Sequence, residues 1–209
     1  MPSFDVSLAF FVAALVLSVA PGPDNIFVLT QSALYGPKAG VMTTLGLLTG
    51  VCLYTIAIAV GAAAIFLASP LAFNALKYCG AGYLCWLAWQ AFRARPAEDN
   101  LTGSSFAGCA ALYRRGVIMN ITNPKVALFF LAFLPQFCDP LIGSIGAQTI
   151  YFGFLFIIAA FAVFAAIALL GGKLAALFNK SPKAQIFLNR LAGCVFLGLA
   201  LALALSSPR

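Results

Sequence analysis

Two ionisable residues of opposite charge lie inside apolar sequence. Asp24 sits in Pro21-Gly22-Pro23-Asp24-Asn25, within an apolar stretch over residues 6–34. Lys125 sits in Asn123-Pro124-Lys125, 101 residues further along, in a later apolar stretch. Charges at bilayer depth are costly, face a cavity or a partner, and mark solute pathways. Paired breaks at corresponding positions of two halves point to a transporter's binding site. Two such charges can bond to each other or hold a solute in a cavity between them.

The flanking residues suit that chemistry. Pro21, Pro23 and Pro124 lack a backbone donor and clash with the preceding turn, so each should interrupt its helix. Gly22 is expected to give the first break conformations barred to other residues. Freed carbonyls and amides must then find partners inside protein or line a water-filled cavity. Asn25, Gln31 and Ser32 put polar groups after the first break, and Asn120 and Asn123 precede the second. At about 1.5 Å of rise per residue, Asp24 lies roughly 16 Å from the end of its span near Tyr35. Lys125 lies roughly 15 Å from Arg115. The two charges are therefore expected at one level near the bilayer centre.

The elements that carry these residues follow from composition. The chain has 209 residues, 63% hydrophobic and 8% charged, which places it among all-α polytopic membrane proteins. It reads as a single membrane domain over residues 1–209. Six spans are expected, over residues 6–34, 39–68, 71–92, 116–137, 147–171 and 186–205, each long enough for about 30 Å of hydrocarbon. The start resembles a signal peptide, but without a positive flank and with Pro21 after the small residues it reads as a retained helix.

Net charge is +7, yet the basic residues fall in short loops rather than in a nucleic-acid-binding patch. Lys38, Arg93, Arg95, Arg114, Arg115, Lys173, Lys180 and Lys183 follow odd-numbered spans, whereas the opposite side carries Asp5, Asp139 and Arg209. The positive-inside rule then puts both termini on the outer side. Six scattered cysteines without a CxxC pair, and no histidine, offer no zinc or redox motif, and no cofactor is expected.

Three spans per half require the halves, about 1–95 and 104–209, to be inverted relative to each other. Lys77-Tyr-Cys-Gly-Ala-Gly82 in span three and Arg190-Leu-Ala-Gly193 in span six hint at the repeat, each placing a cation before glycine. Gly46-Leu-Leu-Thr-Gly50 is a GxxxG motif suited to close helix packing, within the bundle or between protomers of a homo-oligomer. Among twenty Phe and six Tyr residues, mostly packing or lipid-facing, Tyr54 is the one candidate for a cavity.

Plainer readings compete. Asp24 and Lys125 can form a purely structural ion pair, the prolines can be simple kinks, and Gln31, Ser32 and Asn120 can bond between helices. An intramembrane aspartyl protease needs two buried acids and a metalloprotease needs histidines, so an enzyme is not expected. One acid without histidine is also a poor metal site. A membrane scaffold without transport would not need a broken, charged pair at matched depth.

The segments Pro21-Gly-Pro-Asp-Asn-Ile-Phe-Val-Leu-Thr-Gln31 and Asn120-Ile-Thr-Asn-Pro-Lys-Val-Ala-Leu-Phe-Phe-Leu-Ala-Phe-Leu-Pro-Gln-Phe137 closely resemble the lysine exporter (LysE) superfamily, in its RhtB-type branch. The resemblance covers essentially the full length. It implies a bacterial cytoplasmic-membrane exporter of amino acids or related small molecules, driven by the proton gradient. On that footing Lys125 and the helix N-termini would hold an α-carboxylate. Asp24, Asn25 and Gln31 would hold the α-ammonium, and Asp24 would carry the coupling proton.

Overall fold

A computed structural model describes residues 2–68, 70–94, 108–180 and 182–205, and the described residues are almost wholly helical. The helices are α1 (Phe4–Val19), α2 (Pro23–Tyr35), α3 (Pro37–Ala68), α4 (Pro70–Arg93), α5 (Cys109–Ile121), α6 (Pro124–Leu128), α7 (Ile145–Lys180) and α8 (Pro182–Leu205). Five of them begin on proline, whose missing donor is no loss in a first turn and whose fixed φ suits helix entry. Between α2 and α3 Gly36 takes φ 85° and its N–H reaches Ser32 O, a left-handed C-terminal stop that only glycine adopts without strain.

The breaks fall where the prolines require them. α1 and α2 meet at 58°, and α5 meets the segment Pro124–Phe137 at 48°. That segment changes character along its length, running from α6 into a π-helical turn over Phe129–Phe133 and a 3-10 turn over Leu134–Phe137. Pro135 cannot donate to Leu131 O and its ring crowds that carbonyl, which widens the preceding turn. Leu134 N accordingly bonds Phe129 O, five residues back.

Three stretches, Pro37–Gly61, Ile145–Gly171 and Gln185–Leu205, are long and apolar enough to cross a membrane, and the two bent pairs raise the number to five. The expectation of six spans is thus met only in part. The span expected over 71–92 falls on α4, whose 24 residues reach about 36 Å but include Asn74, Lys77, Gln90 and Arg93, which lower its apolarity. α7 also runs past the expected 171 to Lys180, and α5 starts at Cys109 rather than near 116.

α3 packs against both α5 and α7, α4 lies along α8, and α1 and α2 rest on α7. Glycines make the closest approaches. A Cβ on Gly46 would stand 2.1 Å from Tyr113 O, and one on Gly116 would stand 2.4 Å from Thr43 O. The GxxxG motif is therefore taken up inside the chain, between α3 and α5. Across α3 and α7, Gly153 seats Thr55 and Gly146 meets the Ala59 carbonyl. Large apolar side chains such as Val60, Trp89, Phe154 and Leu169 point outward, as the surface of a bundle in lipid requires. All six cysteines are free, and burial pushes the Cys138 thiol, in the loop before α7, up to about 11.

Replacing Gly46 by Leu is expected to cost about 1–3 kcal/mol by forcing α3 and α5 apart. Gly198→Ala, where a Cβ meets nothing within 4 Å, should leave stability unchanged or higher. Thermal unfolding of the two variants in detergent checks both.

Candidate functional site

Prolines at two positions deprive the end of α1 of donors. Pro21 cannot bond Leu17 O, and the chain turns away before Asp24 N can reach Ala20 O. The last regular bond of α1 is Ala20 N to Val16 O, at 3.0 Å. The carbonyls left over find other donors. Lys125 Nζ donates to Leu17 O at 3.3 Å and to Ala20 O at 3.2 Å. Asn25 Nδ2 donates to Ser18 O at 2.8 Å. A cation at a helix C-terminus opposes the negative end of its macrodipole, so α1 and Lys125 stabilise each other.

The same ammonium meets the first turn of α2. Asp24 places Oδ1 and Oδ2 each 3.2 Å from Lys125 Nζ, and Asn25 Oδ1 lies at 3.4 Å. Both charged side chains are nearly sealed, 4% and 3% exposed for Lys125 and Asp24. The expectation that the two charges share one level is met to contact distance. Asp24 also sits where the amides of α2 favour an anion.

Gly22 serves a different purpose from the one expected. Its φ of −154° and ψ of 177° are extended backbone open to every residue. What it supplies is space, since a Cβ there would lie 2.6 Å from Asp24 Oδ1 and 3.1 Å from Lys125 Nζ. Pro21 and Pro23 frame it, and Pro23 starts α2.

The second break is built from α5, Asn123 and α6. Asn123 caps α6, its Oδ1 accepting from Lys125 N at 3.0 Å. That leaves Ile121 O without its i+4 donor, and Tyr54 on α3 fills the vacancy with its hydroxyl at 2.6 Å. Tyr54, expected as a cavity residue, ties α3 to the broken end of α5, with its ring near Phe130. Asn120 is 2% exposed, and a Cβ on Gly50 would strike it at 2.6 Å. Asn120 Oδ1 and Asn123 Nδ2 are buried polar atoms without a hydrogen-bond partner. Such atoms cost free energy unless something else fills them.

Gln31 and Ser32 are not brought to the ion pair. They are buried two turns along α2, about 10 Å from Asp24 by helix rise, and Ser32 Oγ donates to Ala168 O of α7. Past Lys125, Phe129, Phe130, Phe133 and Phe137 form a wall with Phe10 of α1 and Phe152 and Phe156 of α7. Ring centroids in it are as close as 4.7 Å for Phe10 and Phe152 and 4.9 Å for Phe129 and Phe133. Leu17, Ala20 and the phenylalanine wall went unmarked in the sequence. A lysine four residues downstream of a helix end gives no sign of which distant carbonyls it will reach. A further buried cation, Lys77 on α4, is 5% exposed with its Nζ 5.0 Å from the Tyr78 ring centroid.

Gly22→Ala is expected to cost about 1–3 kcal/mol by pushing the carboxylate off the ammonium. In a Lys125→Ala background the same change should cost less, since one of the atoms it strikes is gone. Thermal unfolding of the two single variants and the double variant measures the difference.

Comparison with known proteins identifies relatives over nearly the whole chain. Residues 15–207 match the model of the LysE type translocator family. A homoserine/homoserine lactone efflux protein of Salmonella typhimurium is 33% identical over 195 residues, covering 93% of this chain and 94% of the relative. An uncharacterized membrane protein of Vibrio cholerae is 33% identical over 207 residues, covering 95% and 96%. A leucine efflux protein of Klebsiella pneumoniae is 28% identical over 198 residues, covering 94% and 93%. No solved structure matches the chain. With nearly its whole length matched by the family and by relatives of the same size, the chain belongs to the LysE family of translocators, in its RhtB-type branch.

Proposed function

We propose that this protein is a secondary-active exporter of amino acids or close derivatives across the bacterial cytoplasmic membrane, working by alternating access around the two helix breaks. The observation that carries this reading is the buried Lys125–Asp24 pair at the junction of two broken helices, 3.2 Å apart. A purely structural bridge does not need two unwound backbones beside it. The relatives named for homoserine, homoserine lactone and leucine efflux support an amino-acid cargo.

In this reading a zwitterion enters between the two charges. Its α-carboxylate pairs with Lys125 and with amides at the start of α2, and its α-ammonium pairs with Asp24 and Asn25. The internal ion pair is exchanged for two pairs with the substrate, so no charge is left buried alone. Asp24 carries the coupling proton, taken up outside and released inside. A membrane potential of 100 mV contributes about 2.3 kcal/mol per inward charge, enough to drive uphill export of a zwitterion.

The packing supports two inverted repeats with α4 as the sixth span. α1 rests on α7 as α5 rests on α3, while α3 pairs with α7 and α4 with α8. With the cationic loops inside, both termini lie outside and the phenylalanine wall closes the outer side of the pair.

Cells preloaded with dipeptides are expected to release a subset of amino acids faster when they carry the protein, and Lys125→Ala should return efflux to background. Unchanged efflux of every amino acid, with the protein shown to be in the membrane, would move the cargo to another solute or the role to a scaffold. In reconstituted vesicles Asp24→Asn should abolish exchange driven by a pH gradient. Exchange that stays fully proton-driven in that variant would remove the coupling role from Asp24.

A further inference from the structure

Lys125 Nζ is held by five oxygen contacts from three kinds of group. They are the carbonyls of Leu17 and Ala20, both carboxylate oxygens of Asp24, and the amide oxygen of Asn25. An ammonium has three protons to donate, so the cage holds more acceptors than its occupant can fully use. Every contact lies between 3.2 and 3.4 Å, longer than the ~2.7–2.9 Å of a charge-assisted N–H···O bond. The lysine fills this cage without closing tightly on any of it. None of the five oxygens comes from α6, the segment that delivers the lysine: all belong to α1, to the link after it and to the first turn of α2. Cage and occupant are therefore separate parts of the chain.

From this arrangement we infer that the oxygens around Lys125 Nζ form a binding site for a primary ammonium group, and that Lys125 is a tethered occupant that fills it when no substrate is bound. The site takes small primary amines, R–NH3+, among them the α-ammonium of an amino acid. It excludes quaternary ammonium ions, which have no N–H to give to the carbonyls. An entering ammonium displaces the lysine instead of adding to it, since one carboxylate cannot serve two buried cations. Lysine suits the exchange, having a compact charge on a flexible four-carbon stem. Asn120 Oδ1, buried and without a partner on the last turn of α5, is an acceptor that the resting arrangement leaves unfilled. Tethered occupancy keeps Asp24 and the two carbonyls partnered in the empty carrier, where each would otherwise stand alone in a dry site. The natural ligand rests on the amino-acid reading above, but the cage itself does not.

The test is chemical replacement of the lysine in purified protein. Lys125→Ala removes the occupant and leaves the cage. Methylammonium chloride is expected to raise the melting temperature of this variant saturably, by about 5 °C near saturation. Equal concentrations of sodium or tetramethylammonium chloride should not. Wild type, its cage already filled, should show no saturable rise with methylammonium, and combining Asp24→Asn with Lys125→Ala should remove the gain. If Lys125→Ala does not survive extraction in sodium chloride, the yield of folded protein in methylammonium chloride becomes the readout, with Lys125→Gln as the second variant. Absence of saturable stabilisation in both variants would overturn the proposal, and so would an equal rise in wild type or with tetramethylammonium. Because no transport is measured, failure of amino-acid efflux and failure of the cage are separate results.

Discussion

A single buried ammonium group holds together chain segments that proline has cut apart. Lys125 Nζ joins the end of α1, the first turn of α2 and the start of α6 at one point. Burying an ion costs several kcal/mol after relaxation, and burying two is tolerated only when each finds a partner of opposite charge and further hydrogen bonds. Here the prolines create the unpaired carbonyls and the lysine uses them, so two costs offset each other. The smaller features follow from the same point. Gly22 is bare because a side chain would occupy the space between carboxylate and ammonium. Asn25 reaches two ways, to Ser18 O and to the ammonium.

Around that junction the bundle is held together in two ways. α3 and α7 are long, close-packed through Gly146 and Gly153, and fastened to the broken helices by Tyr54 at Ile121 O and by Ser32 at Ala168 O. Without a hydrophobic drive between helices in lipid, close backbone approach and such hydrogen bonds carry much of the association. The broken segments instead rest on polar contacts and on rings. π-helical geometry, as over Phe129–Phe133, is rare and recurs at functional sites.

Membership of the LysE family and the site's chemistry meet at a limited point. In the proposed function, carboxylate, ammonium and backbone amides near the breaks would address the part common to all amino acids. Side-chain selectivity depends on the shape formed by several helices, and the relatives named for homoserine and for leucine show that cargo side chains vary within the family.

Much of the site was legible in residue types alone. Proline's missing donor and ring clash are local, so the breaks at Pro21, Pro23 and Pro124 follow from sequence. A lone acid and a lone base at matched depth in apolar surroundings have little choice but each other, which is why the Asp24–Lys125 contact was predictable across 101 residues. Other features were decided in three dimensions. Gly22 was read as a source of conformational freedom and proved to be a space holder, because only the lysine's arrival makes that space scarce. Tyr54 went to a carbonyl that becomes free only once Asn123 has captured Lys125 N. Gln31 and Ser32, polar and near in sequence, were carried two turns away by helix rise. Local covalent chemistry determined where this chain must break and where charge must pair. Which atoms fill the gaps was settled only by the fold, because those partners come from helices that sequence order does not place side by side.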